Sequence, residues 1–446
     1  MTSPNRRQLL TGGAGVAGAA AFGLAATPAS AGTLGRTTAY TSTANDPNRK
    51  VTPGADVAAA ANWSVLAGRK VGIITNPTGV LLNLRTIVDE MHDAGTVDIR
   101  GVFGPEHGFR GTAQAGEAED TYVDERTGIT VYDAYGANTA KFASMIRASG
   151  TDTVVFDIQD VGCRFYTYIW TMYTAMKACV ETGASMAVLD RPNPIGGTAY
   201  GPMMTDPWTS GVGAENIVQA HGMTVGEMAR YLDAIILPTD TNGARLSKLE
   251  VVECKGWRRD VTYAGTGLPW VMPSPNMPTP DTALVYPGTG MFEGTNLSEG
   301  RGTTRPFELI GAPYVDYKWA ERLAGRDVAG VAFREAYFTP TFNKHVGKVC
   351  GGVQVHIVEP SAIDPMRVGV EMLVAARSIY TDFQWRYDAY DPARPYWIDK
   401  LSGSTRLRDQ ITAGADVETV MGAWKDELAA FDARRQPFLI YGGPTR

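Results

Sequence analysis

The sequence predicts an α/β fold, a Rossmann-like and mostly parallel sheet domain followed by a second, smaller α/β domain. Three observations predict it. Short, continuously apolar runs alternate with helical stretches, as strands buried on both faces of a parallel sheet require. Polar residues and glycines collect just past each apolar run, at the edge where an open parallel sheet carries its ligand crevice. The chain has 446 residues, 44% hydrophobic and 20% charged, enough for a large core and unlike a disordered or disulfide-stapled chain.

Residues 1–31 are set apart as an export signal of twin-arginine type. Arg6-Arg7 precede an Ala/Gly-rich apolar stretch, and Ala29-Ser30-Ala31 offers a small-residue cleavage site. The protein is therefore expected to be periplasmic, cell-wall-associated or extracellular. Residues 32–61 read as a flexible lead, and no other segment reaches the roughly 18 consecutive apolar residues of a membrane span.

Residues 62–288 read as the Rossmann-like domain. Val71–Ile74 ends in Asn76-Pro77-Thr78-Gly79, followed by a helix to about His92. Asp98–Phe103 leads into Gly104-Pro105-Glu106-His107-Gly108. Thr153–Ile158 enters Gln159-Asp160 and a long aromatic helix, and Met186–Leu189 ends in Asp190-Arg191-Pro192-Asn193-Pro194. Thr224 and Glu227 have capping-box spacing, so a helix starts there, and Leu249–Cys254 is a further strand. Prolines 269, 273, 275, 278 and 280 mark a stiff junction. In the smaller domain, residues 289–446, Val353, Val355 and Ile357 alternate with polar residues as a half-buried strand, and Asp364-Pro365 supplies an N-cap and N1 proline for a helix through Ile379.

A formal charge of −6 gives no electrostatic footprint for nucleic acid. No GxGxxG follows the first strand, and Gly211-Val212-Gly213-Ala214-Glu215-Asn216 misses the last glycine, which disfavours a nicotinamide cofactor. The four cysteines form no CxxC and the five histidines no HExxH, so no metal site is expected. Cys163 and Cys179 lie in a stretch read mostly as one helix, roughly 24 Å apart at its rise per residue. Buried free thiols are the expectation, with a Cys254–Cys350 pair as the alternative. Nothing in the sequence sets the oligomeric state.

The chemistry centres on Glu106. A carboxyl held between glycines just past a strand is placed to give a proton to a leaving-group oxygen, as glycoside hydrolysis requires; the bland alternative is a helix-capping glutamate or a partner of Arg110. His107 can orient the site, bind a sugar hydroxyl or merely complete a turn. A second carboxylate has to come from elsewhere in the chain. Asp160, Glu293 and Glu299 are the candidates, while Asp157 and Asp190 at strand ends are binding candidates that equally suit loop-fixing acceptors. Arg164, near Phe165, Tyr166, Tyr168 and Trp170, can hold an acidic substituent beside stacking rings, or the rings can simply be core. Arg301 and Arg305 are candidates for anion recognition.

These motifs resemble the bacterial exo-β-N-acetylmuramidase family. The resemblance is carried by the 104–111, 157–168, 190–197, 274–280 and 292–304 stretches, GPEHGFRG, DIQDVGCRFYTY, DRPNPIGG, SPNMPTP and FEGTNLSEGRGTT, in order along nearly the whole mature chain. It implies a cleft between two domains that removes terminal N-acetylmuramic acid from the non-reducing end of peptide-free peptidoglycan fragments, with no cofactor. It also implies Glu106 as catalytic, with His107, Asp160, Arg164, Glu293, Glu299 and Arg301 as pocket members; Arg110, Asp157, Tyr168, Asp190, Asn193 and Arg305 are further substrate-binding candidates. The lactyl carboxylate of the substrate is then expected on Arg164 or Arg301 ahead of Arg110. The other readings are an exported amidase or esterase, for which a GxSxG elbow is absent, and a non-catalytic muroglycan-binding protein.

Overall fold

A seven-stranded sheet organises the first lobe of the computed structural model, which describes residues 51–111 and 120–444. Its strands are β1 (Lys70–Thr75), β2 (Asp98–Gly104), β3 (Tyr122–Val123), β4 (Thr130–Asp133), β5 (Thr153–Asp157) and β6 (Ser185–Leu189), completed after the short β7 (Tyr200–Met203) and β8 (Val218–Ala220) hairpin by β9 (Leu249–Val252). The order is β3-β4-β2-β1-β5-β6-β9. Only the β3–β4 pairing is antiparallel.

The apolar runs explain the layers. Alternate side chains leave opposite faces of a strand, and both faces are buried here. Val71, Ile73, Val102, Val155 and Leu189 pack under helices α1 (Gly54–Ala60) and α2 (Ile87–Ala94). Ile74, Phe103, Phe156 and Val188 pack on the other side against α3 (Thr139–Ser149) and α4 (Tyr168–Thr182). The close β1–β2 approach depends on Gly72, where an added Cβ would meet the Phe103 ring at 2.5 Å. Thr86 and Asn138 cap α2 and α3, and Gly95 and Gly150 end them in the left-handed region.

Chain order sets where the crevice falls. From central β1 the chain first builds outward through β2, then crosses to β5 on the other side, so the connections diverge at the carboxyl ends of β1, β2 and β5. Ligands bind open parallel sheets at such a switch point.

Several expectations need correcting. The expected export signal (1–31) and residues 32–50 lie outside the described residues, but 51–61 is no flexible lead. Thr52 bridges to Lys255, Val51 and Ala55 are buried, and α1 packs on the sheet. The aromatic helix starts only at Tyr168, so residues 160–167 form a loop and Cys163 lies outside the helix that holds Cys179. All four cysteines are buried and unpaired. The smaller domain is built on an antiparallel sheet, β10 (Leu309–Ala312), β11 (Val331–Phe338) and β12 (Cys350–Ile357) in the order β10-β12-β11, backed by the Pro365–Ile379 helix with its Asp364 cap.

Nor do the two lobes follow each other cleanly at residue 288. The Pro280–Thr289 helix gives Ala283 and Tyr286 to the first core and Leu284 and Val285 to the second. The Lys425–Arg435 helix returns Phe431 to the first core, and the Tyr441 hydroxyl donates to Asp190 at 2.5 Å. The lobes are interlocked because the chain, after building the second core, returns Phe431 and Tyr441 to the first lobe.

Candidate active site

The loop after β2 presents Glu106. Gly108 N–H donates to the Pro105 carbonyl at 2.9 Å, closing a turn whose third residue, His107, has φ +72°. A non-glycine residue in that region is unfavourable by about 1–2 kcal/mol, so His107 occupies a position that backbone preference alone gives to glycine. The imidazole is 6% exposed and lines the same cavity as Glu106. Across it, the Thr167 hydroxyl at the start of α4 donates to Glu106 Oε2 at 3.0 Å.

The cavity has a volume of about 160 Å³. Glu106, His107, Thr167 and Tyr168 come from the first lobe, Ser274 and Asn276 from the proline-rich junction, and Tyr286, Glu293 and Arg301 from the segment entering the second lobe. Arg301 Nη2 meets Glu293 Oε1 at 2.8 Å, and its Nε stands 3.3 Å from Glu299. Burial pulls the Arg301 pKa down, but the charges of Glu293 and Glu299 outweigh it and hold the guanidinium above its ordinary value. Nη1 donates to none of the described residues, which leaves a donor for a ligand.

Burial, then nearby charge, pushes the phenols of Tyr166, Tyr168 and Tyr286 above the ordinary tyrosine value. They remain neutral hydroxyls throughout the working range. Tyr168 spends its proton on the Pro273 carbonyl at 2.5 Å and thereby ties α4 to the junction.

Glu106, His107, Tyr168, Glu293 and Arg301 are thus brought to one cavity; the other expected residues are not. Arg110 turns away to Asp89 and Asp124, at 3.0 and 2.9 Å. Asp157 is fully buried and chelated by Arg191 at 2.5 and 2.9 Å. Asp160 is 4% exposed and does not line the cavity; its Oδ2 accepts from Gly162 N–H at 2.7 Å, and His221 Nε2 stands 3.7 Å away, beyond hydrogen-bond reach. Arg164 is 0% exposed and spends its fork on the carbonyls of Pro202, Ile217 and Leu401 at 2.9, 2.6 and 2.7 Å. It is a strut between lobes, so the expectation that it reads a substrate carboxylate is withdrawn.

Asp190 is buried under bonds from Arg191 N–H, Gly226 N–H, Thr224 and Tyr441, and Asn193 joins Ile195 N–H to the Met223 carbonyl. Glu299, 1% exposed, is held by Lys344 at 2.9 Å and Asn343 at 3.1 Å behind Arg301. Arg305 pairs with Glu308 at 3.2 Å, outside the cavity.

Sequence reasoning missed Tyr135, Thr167, Ser274, Asn276 and Tyr286. Ser274 and Asn276 stand in the quoted SPNMPTP stretch, and that stretch was their signal; Tyr135 carried none. Tyr135 lines a neighbouring cavity of about 400 Å³ that also touches Glu106, and burial, then the charge of Glu106, pushes its phenol up. A cavity of about 580 Å³ lies away from both, against β9 and residues 437–440. It contains none of the expected residues, and its Arg245 pairs with Asp233 at 2.5 Å.

Two carboxylates from different lobes face one cavity, one beside a hydroxyl donor and one on a guanidinium, an arrangement compatible with the acid pair of a glycoside hydrolase on an α/β scaffold. Two family models match the chain in order, the N-terminal part of the exo-β-N-acetylmuramidase NamZ over residues 71–281 and the C-terminal part over 284–441. The chain belongs to that family. Peptidoglycan β-N-acetylmuramidase NamZ of Bacillus subtilis (strain 168) is 41% identical over 396 residues, 88% of this chain and 92% of that protein. Two crystal structures of DUF1343 family proteins from Bacteroides fragilis NCTC 9343 share the fold. BF0371 has a TM-score of 0.77 at 33% identity, and BF0379 has 0.69 at 27%; each match covers 88% of this chain and 99% of the other.

Proposed function

We propose that this protein is an exo-acting β-1,4-N-acetylmuramidase, hydrolysing N-acetylmuramic acid from the non-reducing end of peptide-free peptidoglycan fragments. The observation that carries the reading is the meeting of Glu106 with the Glu293–Arg301 pair across one small cavity at the switch point of the sheet. Glu106, with one oxygen fixed by Thr167, gives its proton to the glycosidic oxygen as the bond to the anomeric carbon breaks. Glu293 serves the opposite side of the anomeric carbon, either bonding to it and being displaced by water in a second step, or taking a proton from the water that adds there. The Nη1 donor of Arg301 takes the lactyl carboxylate, a pairing suited to a planar guanidinium.

Export follows from the Arg6-Arg7 leader and agrees with a substrate found outside the membrane; no described helix is long and apolar enough to cross one. Mass-resolved incubation with the disaccharide of N-acetylmuramic acid β-1,4-linked to N-acetylglucosamine tests the activity. Release of free N-acetylmuramic acid without added cofactor is expected. Binding without turnover would favour the muroglycan-binding reading, and early cleavage of internal bonds in longer fragments would overturn the exo assignment.

A further inference from the structure

Glu106 stands on the boundary between two cavities. The 160 Å³ cavity and the 400 Å³ cavity share Glu106, Thr167 and Val212. A glycosidic oxygen that takes a proton from Glu106 has the reacting sugar on one side and the departing group on the other, so one cavity serves each.

Charge decides which is which. The smaller cavity contains Arg301 and Glu293 and is backed by the buried Phe165, Tyr166 and Tyr286. The unused Nη1 donor of Arg301 there suits an acidic sugar. Among the described residues the larger cavity has no charged side chain besides Glu106; Tyr135, Phe142 and Trp170 give it an aromatic wall and Thr171 and Thr174 of α4 its hydroxyls. Aromatic walls with a few polar groups suit the apolar ring faces of an uncharged sugar. Gly136 and Gly211 at its rim are exposed, which lets a longer chain continue outward.

We propose that the 400 Å³ cavity between residues 134–137 and α4 is the leaving-group subsite, taking an uncharged N-acetylhexosamine and any chain beyond it, with Tyr135 and Thr174 setting the fit. This rests on the role of Glu106 given above. It predicts that substrate choice on the departing side is independent of Arg301.

The test compares the natural disaccharide with N-acetylmuramyl β-fluoride, whose departing group is one atom and does not reach the larger cavity. Thr174 is half-buried on α4, so Thr174→Trp fills the cavity without displacing a core residue. The ratio of kcat/KM for the disaccharide to that for the fluoride is expected to fall about 10-fold or more, and inhibition of fluoride hydrolysis by free N-acetylglucosamine should be lost. If Thr174→Trp fails to give a cooperative thermal transition, Tyr135→Ala replaces it, with the same direction and a fall of about 3- to 10-fold. An unchanged ratio, or a parallel loss on both substrates with inhibition retained, overturns the subsite while leaving the activity standing. Folded wild-type protein that turns over neither substrate overturns the Glu106 reading, and the subsite with it.

Discussion

The loops after β2 and β6 begin from the same local pattern and end in opposite uses. Each follows an apolar parallel strand and carries acid, base and proline, as Gly104-Pro105-Glu106-His107 and as Asp190-Arg191-Pro192-Asn193. The first opens onto a cavity. The second is closed on all sides: Asp190 takes hydrogen bonds from the start of α5 (Val225–Tyr231) and from Tyr441, Arg191 chelates Asp157, and Gln159 donates to the Pro192 carbonyl. Sheet order separates them. β2 flanks β1 at the switch point, whereas β6 lies one strand further out, where α5 and the C-terminal segment cover its end. A polar strand-end loop therefore becomes a site only where no later segment seals it.

The strongest way to break that comparison is at the closed loop. Arg191 is 6% exposed, and it reaches Val80's carbonyl as well as the 0% exposed Asp157. Arg191→Leu leaves a buried carboxylate without its partner, which costs about 3–5 kcal/mol. Urea unfolding should show this loss, whereas any folded fraction should retain the substrate affinity of the wild type. Unchanged stability together with lost affinity would make this loop part of the site after all.

At the open loop the signs reverse. Glu106→Gln keeps the shape and removes the transferable proton, so turnover of the disaccharide should fall by roughly 10²-fold or more while the melting temperature hardly moves. A good leaving group needs less protonation, so an activated aryl glycoside should suffer less. Near-normal activity of the folded variant on the disaccharide would end the proposed role, and equal losses on both substrates would point to electrostatic positioning in place of proton transfer.

Much of the frame was legible in the sequence. The strand-end loops, the Thr224–Glu227 capping box and the Asp364 cap are local patterns, and each appears where its spacing places it. Glu106 and His107 were legible for the same reason. What was lost is long-range. Arg164 beside four aromatic residues reads alike whether its fork meets a substrate or three carbonyls, and those carbonyls belong to residues 38, 53 and 237 positions away. The second carboxylate followed the same rule. Glu293 and Glu299 differ by six positions, yet only Glu299 is sealed by Lys344 and Asn343 of the segment joining β11 to β12.

Arg301 sharpens the comparison by about one order of magnitude. Arg301→Lys preserves a charge near Glu293 but loses the Nη1 donor that projects beyond that pair, so kcat/KM for the muramic disaccharide should drop roughly 10-fold relative to a counterpart lacking the lactyl group. Arg110→Lys and Arg305→Lys, whose partners are Asp89, Asp124 and Glu308, should leave that ratio unchanged. Equal ratios in all three variants would remove Arg301 from substrate recognition.

The smallest effect belongs to Glu215, a carboxylate that is neither sealed into a network nor part of the cavity pair. Its side chain accepts no hydrogen bond from the described residues. Burial, then the charge of Asp240, pushes its pKa from 4.5 up to about 7, against the pull of Lys177. The folded form therefore holds a proton that the unfolded chain releases. The resulting stabilisation is complete below about pH 4.5 and is lost as pH rises through about 7. Glu215→Gln carries no charge at any pH, so variant and wild type should melt together near pH 4. By pH 8 the variant should melt higher by roughly 1–2 °C, a small gain because the half-exposed group is screened by solvent. A higher-melting wild type at pH 8 would mean that the Glu215 charge has a stabilising partner. Glu215 would then join the Asp157 class of paired struts, and the contrast between sealed and open carboxylates would lose its intermediate case.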